Sequence, residues 1–96
     1  MELNDYKNEA GVFLELLGDA DQDVAAIVDY LKEDFAILMD YFDGRIIDTK
    51  KVGHKTYDLI FLLMLLASRF DTDLDNEWVM GRQRKKAKYL EETINR

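Results

Sequence analysis

The stretch YDLIFLLMLLASRF (57–70) decides the fold. Its centre, LIFLLMLLA (59–67), is an unbroken apolar run of nine residues, less than half of the twenty or so a membrane span needs. A helix that is apolar on all sides lies in the middle of a bundle or at a dimer interface. A second stretch, YLKEDFAILMDYF (30–42), has the same character. Each holds a carboxylate, Asp34 in one and Asp58 in the other. Among core-facing residues a polar group costs about 2–7 kcal/mol unless something pairs with it, so the partner of these two acids is the functional question.

Working outward, four helices are expected. The first covers about 4–17, where Tyr6, Ala10, Phe13 and Leu17 form one stripe, with Asn4 as N-cap and Gly18 as stop. The second covers about 22–43, capped by Asp21 or Asp23 and ended by Gly44; Val24, Ile27, Val28, Leu31, Phe35, Leu38 and Phe42 make its face. Ile46, Ile47 and Val52 suggest that the connection 44–53 packs down. The third helix covers 54–70. The fourth starts behind Thr72 or Asp73 and turns Leu74, Trp78 and Tyr89 inward. The expectation is a single all-α domain over 1–96, a four-helix antiparallel bundle that oligomerises as a dimer or tetramer through helix three.

Composition narrows the function. There is no Pro to break a helix and no Cys for thiol chemistry or disulfides. No signal peptide or membrane span is visible, which reads as a soluble cytoplasmic protein without a membrane partner. Net charge is −7 and pI about 4.6, which argues against general nucleic-acid binding. The charge is uneven: residues 1–49 hold thirteen acids and three bases, residues 50–96 seven acids and ten bases. Such halves favour packing on each other or antiparallel association of two chains. Phosphate loops, dinucleotide turns, zinc spacings and nucleophile–base pairs are all missing.

What remains is a carboxylate set. Glu33, Asp34 and Asp58, with Asp40 nearby, could hold a hard cation such as Mg²⁺. The plainer alternative is that Asp58 caps or salt-bridges while Asp34 pairs with a Lys or Tyr, and helical-wheel geometry favours it because Glu33 points away from the face of Asp34. His54, one turn before Asp58, is either a metal or proton partner or a surface residue. The basic run RQRKKAK (82–88) either grips phosphates, if it lies beside the acids, or is a solvated face complementing the helix dipole.

LKEDFAIL (31–38), KTYDLIFLLMLLASRFDTDLDNEW (55–78), RQRKKAKYL (82–90) and the opening DYKNEA (5–10) together resemble the MazG-like nucleotide pyrophosphohydrolases, all-α NTP pyrophosphatases with EExxE and ExxD motifs. The resemblance implies Mg²⁺-dependent hydrolysis of a (d)NTP to (d)NMP and pyrophosphate, in a homo-oligomer. Carried over by position, Glu33, Asp34 and Asp58 would be the catalytic and metal-binding acids, and Lys55, Arg82, Lys85 and Lys86 would meet the phosphates. Two motif acids are replaced: Ile37 stands at the third acid of the first motif and Lys55 at the Glu of the second. Lys55 would repel the metal and could instead contact phosphate or pair with Asp58. The alternative is a catalytically inactive MazG-like protein that acts by binding a nucleotide or a protein.

Overall fold

In the computed structural model, which describes residues 2–16 and 24–91, four α-helices follow one another: α1 (Leu3–Leu16), α2 (Val24–Asp40), α3 (Thr49–Arg69) and α4 (Leu74–Lys85), with wider π-helical winding over Lys86–Glu91. The all-α reading holds. Gly18, Asp21 and Asp23, read as a stop and two caps, lie outside the described residues.

α3 is the axis of the fold. α1 and α2 both pack on it, and α4 touches α1. α1 runs antiparallel to α3: Lys7 reaches Thr72, and a Cβ on Gly11 would meet Ser68. α2 runs antiparallel along the other half of α3, with Asp34 beside Lys55. The core therefore strings along one side of α3, as Ala10 and Leu14 from α1, Ile27 and Leu31 from α2, and Leu59, Leu62 and Leu65 from α3. Ile27 is fully buried.

This is less than a closed bundle. The extents are 54 × 39 × 25 Å and the radius of gyration is 16.7 Å, against about 12.5 Å for a compact chain of this length. α4 buries no residue. Trp78 on α4 and Tyr89 in the winding beyond it, expected to face inward, are exposed: among the described residues α1 is the helix that packs on α4, and it does so with its first residues.

The helix ends correct several expectations. α3 begins five residues early, because Asp48 caps it by accepting from the Lys50 and Lys51 amides at 3.1 and 3.2 Å. Gly53, read as part of a connection, lies inside α3, and so does Val52. Ile46 does not pack down; it is 91% exposed. α2 stops at Asp40 rather than at Gly44, closing through short three-residue turns, Phe42 N–H to Met39 O and Asp43 N–H to Asp40 O. α3 ends in a Schellman turn: the Thr72 amide donates to Ala67 O at 2.9 Å and the Asp71 amide to Ser68 O at 3.3 Å. Asp71 takes the left-handed position, φ 50°, where glycine is usual.

Asn4 does not cap its own helix. Its carboxamide oxygen accepts from the Leu74 amide, the first residue of α4, at 2.8 Å. In return Asp75 accepts from the Leu3 amide, the first residue of α1, at 2.9 Å. The two N-termini thus cap each other. Asp73, the expected N-cap of α4, accepts from Asn76 N–H at 3.1 Å and from Asn4 Nδ2 at 2.9 Å. These bonds hold its carboxyl below the usual range, the Asn4 bond contributing most. Lys7 is buried along its stem, and its ammonium donates to Thr72 O at 2.8 Å.

Candidate functional site

The α2–α3 hairpin brings Asp34 and Asp58 together. What joins them is Lys55. Its ammonium donates to Asp34 Oδ1 at 3.2 Å, across the helix pair, and stands 3.1 Å from Asp58 Oδ2, one turn along α3. An i, i+3 spacing puts Lys55 and Asp58 on one face of α3, and the antiparallel register puts Asp34 opposite them. The Lys55 side chain is 16% exposed, that of Asp34 21% and that of Asp58 46%. The site is a half-sheltered notch, open on the Asp58 side.

The electrostatics favour the closed arrangement. Both carboxylates raise the Lys55 pKa above its ordinary value, the Asp58 hydrogen bond first and the Asp34 bond second, against a smaller desolvation effect. The lysine stays charged, and the three groups together carry one net negative charge.

Mg²⁺ fits this donor set poorly. It demands near-octahedral oxygen coordination at about 2.0–2.1 Å and a concentration of anionic oxygens. Here two carboxylates share a position already taken by an ammonium. Among the described residues, no group of three His, Cys, Asp or Glu side chains is placed to hold a metal ion. Glu33 is exposed on the surface of α2, next in sequence to Asp34 but about 100° around the helix from it. Asp40 ends α2 and is exposed, and so is His54. Ile37, at the third acid of the first motif, is 39% exposed and offers no ligand.

The expected phosphate contacts divide. Lys55 is in the notch. Arg82, Lys85 and Lys86 are not. α4 leaves from the far end of α3, and Lys55 to Arg69 is about 21 Å of helix. Arg82 lies with Glu2, Leu3, Asp75, Trp78 and Val79 where α4 meets α1, and Lys85 stands 5.3 Å over the Tyr89 ring. Within one chain, then, the basic run does not lie beside the carboxylates.

One feature escaped the sequence reading. α1 and α3 form an open apolar cleft of about 540 Å³, lined by aromatic and aliphatic side chains including Tyr6, Phe13, Tyr57 and Phe61. Phe13 meets Phe61 edge to face at 5.9 Å. The signal was present as the 57, 60, 61, 64 spacing, the i, i+3, i+4, i+7 pattern of a second helix face. No described helix is long and apolar enough to cross a membrane. Comparison of the chain with protein-family models, with curated proteins and with solved structures finds no match in any of the three.

Proposed function

We propose that this chain is a MazG-like helical protein of the non-hydrolytic kind, which acts by binding a nucleotide or a protein partner. One observation supports this reading above the others: Lys55 stands between Asp34 and Asp58, with its ammonium about 3 Å from each. A tethered cation at that position competes with a free one for the same oxygens, without the entropy cost of recruiting an ion from solution. The replacement of the two motif acids, by Ile37 and Lys55, points the same way.

A second reading keeps one specific support. Asp34 and Asp58 come from different helices and meet at a single cation, the convergence that a Mg²⁺-dependent (d)NTP pyrophosphohydrolase needs. A pyrophosphate-release screen over the common NTPs and dNTPs with Mg²⁺ separates the two. The non-hydrolytic reading expects no release above background from any nucleotide, and heat on titration with a non-hydrolysable NTP or with a protein partner. Mg²⁺-dependent release that Asp58→Asn abolishes, with helix content intact, would replace it with the hydrolase.

A further inference from the structure

We infer that the cleft between α1 and α3 is a binding site for a small organic cation, a substituted ammonium that carries an apolar group. The cleft measures about 540 Å³, within the roughly 300–1,000 Å³ of small-molecule sites. It is separate from the carboxylate notch. Tyr57 lines the cleft, while Asp58, the next residue, lies about 100° around α3 and belongs to the notch. The two sites therefore open on different sides of one helix.

The rings set the geometry. Tyr57 and Phe61 stand one turn apart on α3, with centroids 6.3 Å apart and planes 29° from parallel. Phe13 of α1 stands almost perpendicular to Phe61, at 89° and 5.9 Å. Two near-parallel rings and a third at right angles form the corner of an aromatic cage, and Tyr6 adds its ring to the lining. The face of an aromatic ring is electronegative, so a cation within about 6 Å of the centroid is attracted and an anion is not. The rings are accessible: Tyr57 is 65% exposed, Phe13 52% and Tyr6 44%. A substituted ammonium suits such a corner better than a metal ion does, because its alkyl groups bury apolar area against Ile60 and Met64 in the same lining.

Charge complementarity selects the sign of the ligand. Glu9 is the one residue of the lining whose side chain is charged at neutral pH. It follows Tyr6 by three positions and precedes Phe13 by four, so all three share a face of α1. Glu9 is exposed, which puts its carboxylate at the mouth of the cleft. The described ion pairs fall on Lys7 and Lys55, and none engages Glu9. No Lys or Arg lines the cleft. The wider field agrees, since residues 1–49 hold thirteen acids against three bases. A nucleotide phosphate would meet a carboxylate and ring faces there, with no cation to receive it. The inference therefore stands or falls apart from any nucleotide bound elsewhere.

NMR titration of the full chain with benzyltriethylammonium tests it. N,N-diethylbenzamide offers the same phenyl ring and two ethyl groups without charge, and benzenesulfonate offers a ring with the opposite charge. The cation should give saturable shifts at Ile60 and Phe61 with a Kd of about 1 mM or tighter. The amide and the sulfonate should bind at least about ten-fold more weakly. Glu9→Gln, an exposed and nearly isosteric change, should weaken the cation about three-fold and leave the amide unchanged. Phe13→Leu keeps an apolar side chain but removes a ring face, and should also weaken the cation more than the amide. Should Phe13→Leu disturb the fold, the comparison of the three probes on the wild type still decides. An amide that binds as tightly as the cation overturns the inference, and so does a Glu9→Gln variant with undiminished affinity for the cation. Shifts centred on the acidic surface of α2 rather than on Ile60 reduce the cation to a general counter-ion and overturn it too. The absence of saturable binding by any of the three rejects it and leaves the cleft to a macromolecular partner.

Discussion

Lys55 on α3 holds Asp34 on α2 at 3.2 Å, and through that contact the hairpin closes with a charge of its own rather than a borrowed one. The Lys55 pKa is raised, with the Asp58 hydrogen bond the larger cause and the Asp34 bond the next. A raised folded-state pKa means that the stabilisation is complete below the ordinary value of 10.5 and fades as pH climbs through the higher folded value. Urea midpoints measured between about pH 9 and pH 12 should fall for the wild type and fall less for Lys55→Met. Parallel curves for the two proteins would show that the bridge contributes nothing.

Removing Lys55 should change how the protein answers to metal. Lys55→Ala leaves Asp34 and Asp58 facing each other with no cation between them, a repulsive pair in a half-sheltered notch. The variant should melt lower than wild type and regain part of the loss in millimolar Mg²⁺, since a ligand that binds only the folded state stabilises it by mass action. Wild type should show no such gain. Thermal melts with and without Mg²⁺ read both outcomes.

The mutual capping of α1 and α4 should behave as one unit. Asn4→Ala and Asp75→Ala each remove a cap, worth about 0.5–2 kcal/mol, and in a chain of this length about 1 kcal/mol moves Tm by roughly 4–8 °C. The double variant should cost less than the two singles together, because the caps share one junction. Asp73 adds an acid limb. Its lowered pKa means stabilisation present above the ordinary 3.8 and lost as pH falls through the lower folded value, a loss that Asn4→Ala should shrink.

Gly11 is where α1 comes closest to α3. A Cβ there would stand 2.6 Å from Ser68 Oγ but 3.5 Å from Ser68 Cβ. Gly11→Ala alone should destabilise, although alanine is otherwise worth up to about 1 kcal/mol over glycine inside a helix. In a Ser68→Ala background the obstruction is gone, and the same change should become stabilising. Chemical denaturation of the four proteins of that cycle decides it.

Asp71 sits at φ 50° in the Schellman turn. Asp71→Gly should raise stability, by up to about 1 kcal/mol, by removing a strained Cβ. The opposing loss is the 4.0 Å contact with Lys7, which at a fully exposed carboxylate is worth little. A lower Tm for Asp71→Gly would show that the ion pair outweighs the backbone.

Part of the fold was legible because period and burial agree at the centre of α2 and along α3; on α1 they part, since Tyr6 and Phe13 of the stripe read from spacing are exposed while Ala10 and Leu14 are buried, and Leu17 lies outside the described residues. Ile27 and Leu31 stand on the α2 face read from spacing alone, and Asp34 falls beside it. The failures have two causes, a partner far away in sequence and a nearby cap that outweighed a glycine. Asn4 looks like the cap of the helix that follows it, and instead caps one 70 residues on. Gly53 looks like a break, yet Asp48 had already started the helix. Leu74 and Trp78 have helical spacing, but whether a helix covers them depends on topology that spacing does not carry. In the site, the meeting of Asp34 and Asp58 followed from the register of two apolar helices. That Lys55 bridges both acids required the third dimension, although its i, i+3 pairing with Asp58 was readable.

The capping exchange between α1 and α4 spans nearly the whole chain, and that fixes its place in time. Closing a loop of about 70 residues carries a larger entropic penalty than zipping the α2–α3 hairpin, so the hairpin forms first and the junction last. α4, anchored by its first turn and burying no side chain, is then the segment that opens most readily. Hydrogen exchange should find the Leu3 and Leu74 amides released together, at a far lower opening energy than Leu62. Shortening the chain by its first five residues would loosen a helix that begins nearly seventy positions away.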